Sequence, residues 1–292
     1  MKKKESVKIS SITLSNPDTK LFTNPTITKQ QLAWYYQHIA KLFIRHARNR
    51  PTVLRRFPDG ISDVGFYQKN VSEYFPTWIT QVTVPLKKGG VQTLVTINNS
   101  KTLLYLINQR TIEFHTWLST SKSLNKPNKI VFDLDPGTTT LTQLRQTARV
   151  LKNILESYKL TPFIMTTGSK GFHVVVPIKP IHTFDYVHEF AKHIAQQAAA
   201  TYPKIMTIEL NIKKRRGRIF IDYLRNSYGQ TSVACYSVRA KPKAPIATPI
   251  TWDELATTTP QKYTIVNISK RLQQHQDPWA LFSKKAKKLP TL

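Results

Sequence analysis

Between residues 129 and 225 the chain repeats one alternation, short apolar runs with strand character set between longer stretches of helical spacing. KIVFDLDPG comes first, followed by LTQLRQTARVLKNILESY, whose apolar residues recur at helical intervals. PFIMTTG and FHVVVPI read as strands on either side of a glycine turn, Thr183 caps a predicted helix FDYVHEFAKHIAQQAA, and RIFIDYL and SVACYSV close the series. Upstream, Thr28 is an N-cap for a helix in which Leu32, Tyr35, Tyr36, Ile39 and Phe43 share a face. QVTVPLKKGGVQTLVTIN predicts a hairpin, residues 103–107 a short helix, and IEFHTWLS a strand. Strands mixed with a few long helices predict an α+β fold with a mixed or antiparallel sheet flanked by helices, and no internal repeat is visible.

At 292 residues the chain can bury one large core or two small ones. Residues 1–250 are expected to form a single compact unit that includes the N-terminal helical part. Residues 251–292 are expected to form a C-terminal helical extension, reached through the proline-rich RAKPKAPIATPITWDE and ending in a mobile basic tail, SKKAKKLPTL. Charge narrows the function. Forty-four Lys and Arg face 16 Asp and Glu, a formal +28, so a polyanion is the expected partner, nucleic acid ahead of an anionic membrane surface. The opening MKKKESVKIS lacks the apolar run of a signal peptide, and no stretch is long enough to cross a bilayer. Cys235 stands alone, which excludes an intrachain disulfide and a cysteine zinc cluster. The chain reads as soluble and cytoplasmic.

The chemistry starts at VFDLDPG. Residues two apart on a strand face the same way, so Asp133 and Asp135 project together while Phe132 and Leu134 face the other side. Paired carboxylates repel unless a cation joins them, and hard oxygen ligands suit Mg²⁺ or Mn²⁺. The plainer alternative is a turn started by Asp135-Pro136-Gly137. An EF-hand loop is excluded, because Leu144 falls where a bidentate Glu is required. The stretch also looks like the first motif of haloacid-dehalogenase-type phosphatases, in which the first Asp is a nucleophile, but Pro136 departs from that pattern. That family needs a later acidic pair, and Asp253-Glu254 is the one adjacent pair downstream. Asp222, on the apolar strand RIFID, offers a third carboxylate instead, enough for a site holding two divalent ions, although an ion pair with Arg225 or Arg218 would also explain it.

TTGSKGFH supplies a companion. Gly168 and Gly171 permit a tight turn with amides near phosphate oxygens, Thr167 and Ser169 bring hydroxyls, Lys170 a charge, and His173 opens the next strand. It is not a Walker A loop. His188 and His193 are five apart on a helix and share no face, which excludes a zinc-protease pair.

DLDPG, GSKGFH and a strand with a lone Asp, in that order, resemble the three motifs of the archaeo-eukaryotic primase superfamily. The resemblance is closer to the polymerase domain of bacterial ligase D, through LSNPDTKLF, ITKQQLAWYY, LRRFPDGI, GFYQKN, IEFHTWLS, KRRGRIFIDYLRN, YSVRAKPKAPIATPITWDE and DPW, and it covers nearly the whole chain. It implies a primase-like catalytic core and a template-dependent nucleotidyltransferase that extends primers and fills gaps at double-strand breaks in non-homologous end joining. It also implies a taste for ribonucleotides and a two-metal site favouring Mn²⁺ over Mg²⁺. Asp133, Asp135 and Asp222 would be the catalytic metal ligands. Lys170, His173 and Arg239 would hold the incoming NTP or dNTP, with Thr167 and Ser169 helping and His115 beside the sugar. Lys29 would meet the 5′-phosphate of the downstream strand. Arg55, Arg56, Phe66 and Tyr67 would lie near template and nucleotide, and Lys213, Lys214, Arg215 and Arg216 would contact DNA phosphates. Two departures stand out. Thr167 replaces a usual Ser, and the basic residue expected directly after NPD is displaced by one, to Lys20. With no ligase or nuclease module in the sequence, a stand-alone polymerase is expected, with Ku and a separate DNA ligase as partners. The alternatives are a primase of a mobile element, a nucleic-acid-binding module with a decayed site, and the phosphatase.

Overall fold

Capping chemistry decides where the helices start. Thr28, Thr140 and Thr183 take extended backbone, and their hydroxyls accept from the amides of Gln31, Gln143 and Tyr186. Gln31 and Gln143 return a bond to the cap's own amide, completing capping boxes. The helices opened this way are α1 (Lys29–Ala47), α2 (Ser100–Asn108, capped by Asn99), α3 (Leu141–Ser157) and α4 (Phe184–Thr201). The computed structural model describes residues 6–274 and 276–291, and its contacts divide the chain into two units.

The first unit comprises residues 6–117, Val233–Ala247 and Tyr263–Arg271. Two antiparallel hairpins, β1 (Ser6–Ile9) with β2 (Ile12–Ser15) and β3 (Lys20–Thr23) with β4 (Thr26–Thr28), deliver the chain to α1. In the main sheet β5 (Thr52–Arg56) takes β6 (Phe66–Gln68) as a partner, and the hairpin of β7 (Gln81–Pro85) and β8 (Val91–Val95) joins at Thr52. β9 (Thr111–Trp117) runs antiparallel to β5. Tyr36, Phe43 and Phe114 pack edge to face in the core. The buried Tyr36 hydroxyl donates to the Ile112 carbonyl and accepts from the Val238 amide. That bond fastens a late segment of the chain to α1.

The second unit comprises Leu118–Ser232, Thr248–Lys262 and residues 272–291. Its sheet uses β10 (Lys129–Asp135), β11 (Phe163–Thr166), β12 (Phe172–Pro177), β13 (Met206–Thr207), β14 (Ile219–Asp222) and, after the short β15 (Thr231–Val233) that stands outside it, β16 (Pro249–Ile250). The order is β13-β14-β10-β12-β11-β16, antiparallel throughout except for β13 with β14. Helices α3 and α4 pack on this sheet, as an α+β fold requires. The buried amide of Asn226 both donates to and accepts from the backbone of Val131, so β10 is tied to the turn that follows β14.

Three expectations change. SVACYSV is a strand only through Val233, because Tyr236 takes a left-handed backbone (φ 65°) that breaks the pleat. The proline-rich segment is more than a linker, since residues 244–250 are buried: Ala244, Ile246 and Ala247 belong to the first unit's core, while Ile250 pairs with β11 in the second. The chain passes from the first unit to the second between Ala247 and Thr248 and returns to the first at Tyr263. The basic tail is anchored in the second unit, with Lys287 bridged to Ile178, Leu289 buried and the Tyr186 hydroxyl donating to the Pro290 carbonyl. The C-terminal helix is the short α5 (Ile268–Gln274).

Candidate active site

Register gathers the acids of the second unit. Asp133 on β10 lies directly opposite Asp222 on β14 and directly opposite His173 on β12. Paired residues of antiparallel strands share a face, so the three side chains form one row across the sheet, with Asp135 next along the same face of β10. Leu134, Ile221 and Phe172 make the matching row on the other face, fully buried. His173 Nε2 is 3.4 Å from Asp133 Oδ1. Arg225 reaches both acids, 3.6 Å from Asp133 and 3.2 Å from Asp222. Burial raises the Asp222 carboxyl above the usual range; the Arg225 charge opposes this and the neighbouring Asp133 adds to it. His173 is buried, and its Nδ1 has no hydrogen-bond partner.

Close backbone approaches bring two loops to the end of β10. A Cβ on Gly171 would lie 1.8 Å from the Leu134 carbonyl oxygen, so only glycine lets the TGSKG turn close on the strand. The Thr167 hydroxyl organises that turn, donating to the Gly171 carbonyl at 2.8 Å and accepting from the Ser169 amide at 3.1 Å. It is occupied inside the loop, which leaves Ser169 and the exposed Lys170 facing outward. Gly137 (φ 59°) packs against Gly217, and the Thr138 amide donates to the Gly217 carbonyl at 3.0 Å. This seats KKRRGR beside the acids. Arg215 turns inward, stacked on Phe220 with its guanidinium 3.5 Å from Asp135, while Lys213, Lys214 and Arg216 are exposed.

The first unit gathers Arg55, His115 and Arg239 around a residue that the sequence reading left out, Glu113. Its side chain is fully buried. Arg55, Arg239 and His115 approach it at 3.3, 3.3 and 2.9 Å, and the Ala240 amide donates to it at 2.8 Å. Burial alone would raise this carboxyl, yet the His115 hydrogen bond, the Arg239 charge and the Ala240 amide bring it down to about 2. An acid two residues before His115, and so on the same face of the strand, was the available signal. Tyr67 packs edge-on to His115, and Arg55 lies over the Tyr67 ring. Arg56 is taken up by Gln109, Gln68 and Tyr74. Phe66 and Tyr67 are both about half exposed, so neither is a core residue.

Lys29, the first residue of α1, is buried, and its ammonium donates to two neutral oxygens, Asn108 Oδ1 at 3.1 Å and Ser15 Oγ at 3.4 Å. Desolvation, with the Arg110 charge second, lowers its pKa to about 8. Lys20 is exposed and pairs with Thr28, one residue away from Lys29.

The acid row suits a hard divalent cation in its donor chemistry: adjacent carboxylate oxygens, one of them raised by burial and by the charge of its neighbour. Among the described residues no three ligands already converge on one point, and Arg225 lies between the carboxylates instead. The acidic pair a phosphatase would need is engaged elsewhere, since Glu254 accepts from the Thr251 amide in a turn cap.

A family model described as the LigD primase-polymerase domain matches residues 28–279. The multifunctional non-homologous end joining proteins LigD of Mycolicibacterium smegmatis and Pseudomonas aeruginosa are 30% and 32% identical over 91% and 92% of this chain. The bifunctional non-homologous end joining protein LigD of Bacillus subtilis is 29% identical over 90% of it. The chain spans 35%, 32% and 42% of those relatives' lengths. Among solved structures, the polymerase domain from Mycobacterium tuberculosis ligase D in complex with DNA superposes with a TM-score of 0.88 at 27% identity, covering 95% of this chain and 100% of that one.

Proposed function

This chain belongs to the LigD primase-polymerase domain family, and on that premise we propose that it is a template-dependent nucleotidyltransferase that extends 3′-hydroxyls and fills gaps at DNA breaks. The observation that carries this reading is the row of Asp222, Asp133 and His173 across three adjacent strands, with Asp135 beside it. Divalent-metal dependence belongs to the family, and we assign Mn²⁺ or Mg²⁺ to Asp133, Asp135 and Asp222. When bound, such ions lower the pKa of the primer hydroxyl and offset charge building on the transferred phosphoryl group. Lys170, Ser169 and His173 serve the triphosphate, Lys170 as a point charge at an exposed turn and His173 as a fixed donor at the edge of the acid row. Arg225 offsets the charge of Asp133 and Asp222.

In the first unit, Glu113 holds Arg239 and His115 in the orientations that nucleotide recognition needs. Lys29 and Lys20 form the anion site for a 5′-phosphate, helped by the amides at the start of α1. Lys213, Lys214 and Arg216 contact the DNA backbone. The relatives' names place them in non-homologous end joining, and we extend that role to this chain, with Ku and a DNA ligase as partners, ribonucleotides as favoured substrates and the cytoplasm as its compartment. No helix of the described residues is long and apolar enough to cross a membrane.

The test is primer extension with rNTPs and dNTPs, in Mn²⁺ and in Mg²⁺, on gapped DNA with and without a 5′-phosphate. Extension that depends on template, cation and Asp133 is expected. Extension by Asp133→Ala at the wild-type rate would overturn the reading, and efficient synthesis on unprimed single strands would favour a dedicated primase.

A further inference from the structure

Beyond Tyr67 the first unit carries a run of aromatic rings interleaved with cations, to which no role has been given. Arg56 lies over the Phe66 ring and its NH1 donates to the Tyr74 hydroxyl at 2.7 Å. Tyr74 meets Phe75 edge to face, Phe75 meets Tyr105, and Tyr105 meets Trp78, with ring centroids 5.2 to 5.7 Å apart. Lys101 closes the run, its ammonium 4.2 Å from the centre of the Trp78 ring. Phe75 is buried and anchors the run, whereas Tyr74 and Trp78 are 59% and 37% exposed. Lys101, Tyr105 and Asn108 are spaced i, i+4, i+7 on α2, so one helix face carries both this run and the Asn108 oxygen that receives Lys29.

Exposed rings on a soluble surface need a partner, and the charge here states which kind. The cations Arg56 and Lys101 flank the rings, and Glu73 is the one acid between residues 64 and 78 of a chain with formal charge +28. Rings that stack on bases, set beside cations that meet phosphates, make a platform for unpaired nucleic acid. We infer that Tyr74, Trp78 and Lys101 form a stacking platform for a single-stranded polynucleotide, extending the strand contacts beyond Phe66 and Tyr67. The inference deepens the polymerase reading, since unpaired overhangs are what such an enzyme meets at a break.

The test compares binding of an oligothymidylate and of a blunt duplex by wild type, Trp78→Leu, Trp78→Phe and Lys101→Gln, each checked for a native melting transition. Trp78→Leu should weaken oligothymidylate binding about tenfold and leave the duplex unchanged, with Trp78→Phe recovering most of the loss. Lys101→Gln should reduce the slope of log affinity against log salt by about 0.7. Unchanged oligothymidylate affinity in Trp78→Leu would overturn the inference, as would an equal loss on single strand and duplex. Self-association of the wild type that Trp78→Leu abolishes, with DNA affinity intact, would give the surface to a second copy and also overturn it. If Trp78→Leu does not fold, Tyr74→Leu, at the more exposed ring of the platform, decides by the same readings, and a salt slope in Lys101→Gln equal to that of wild type would also overturn the inference. Binding is measured without nucleotide, so a failure of primer extension in the wild type would sink the polymerase reading and leave this comparison standing.

Discussion

Two carboxylate centres in this chain are built on opposite principles. Glu113 is fully buried and surrounded by donors: two guanidiniums, an imidazole and an amide. The Asp133–Asp222 pair is partly open, with side chains 25% and 16% exposed; Arg225 reaches both acids, His173 approaches Asp133, and the Leu224 amide donates to Asp222. Burial pushes both carboxyls up; at Glu113 the imidazole, guanidinium and amide overcome it, while at Asp222 burial prevails, with Asp133 adding to it, over Arg225 and the Leu224 amide. A carboxylate with more partners than it needs fixes those partners in place. Two carboxylates side by side, one of them raised by burial, have the donor chemistry that suits a cation. The first arrangement fits the holding role proposed for Glu113, the second the catalytic role proposed for the acid row.

The largest expected effect tests the second half of that contrast. Asp133→Ala should cut nucleotide addition by about 10³-fold or more, because it removes the central carboxylate of the row to which the cations are assigned. Its stability should hold or rise, since a repulsion is relieved with the acid. A melting temperature several degrees below wild type would mean that the acids hold the fold, and the contrast would fail.

Glu113→Gln should behave in the reverse way. Breaking a buried ion pair strands its cationic partners, at a cost of about 3 kcal/mol. The wild-type carboxyl titrates at about 2 in the fold against 4.5 unfolded, so its contribution is complete above 4.5 and disappears as pH falls toward 2. Denaturant midpoints of variant and wild type should therefore differ most at neutral pH and converge in acid. A gap that stays constant down to pH 2 would remove the electrostatic account.

Gly171→Ala carries a smaller penalty, about 2 kcal/mol, from forcing a Cβ against the Leu134 carbonyl. The TGSKG turn must move away from β10, so KM for the nucleotide should rise while Glu113 and its partners are untouched. Wild-type KM in this variant would detach the turn from substrate binding.

The difference between the two centres also explains what the sequence revealed. Asp133 and Asp135 were legible because strand alternation is a local rule, and the same rule put Phe132 and Leu134 in the core. Asp222 was legible as a lone acid on an apolar strand, yet the register that sets it opposite Asp133 is a pairing between distant segments. Glu113 was missed because its partners Arg55, Arg239 and Ala240 come from remote stretches, and nothing local marks a carboxylate as their hub. Thr167 shows the limit in the other direction. A hydroxyl in a glycine turn suggests a ligand, but here the turn's own amides and carbonyl take it. The proline-rich segment misled for a compositional reason: its prolines suggested a linker while its alanines and isoleucines were packing in two cores.

Lys29 gives the smallest effect and joins the two principles in one residue, a buried charge whose protein partners are neutral. Its folded pKa of about 8 lies below the ordinary 10.5, so keeping it protonated costs stability at neutral pH, and that cost fades as pH rises through both values. Lys29→Met should accordingly lose this rise in stability between pH 7 and pH 10. Phosphate affinity should run the other way, because only the ammonium attracts a dianion. Preference for a 5′-phosphorylated gap over an unphosphorylated one should therefore fall by up to about tenfold between pH 7 and pH 9. A bound phosphate favours the charged form and shifts the fall toward the upper end of that range. Binding measured on the two gapped substrates at several pH values separates this from a general weakening, since the unphosphorylated substrate provides the baseline. A preference that stays flat to pH 9 would take the phosphate contact away from Lys29 and leave it to the exposed Lys20.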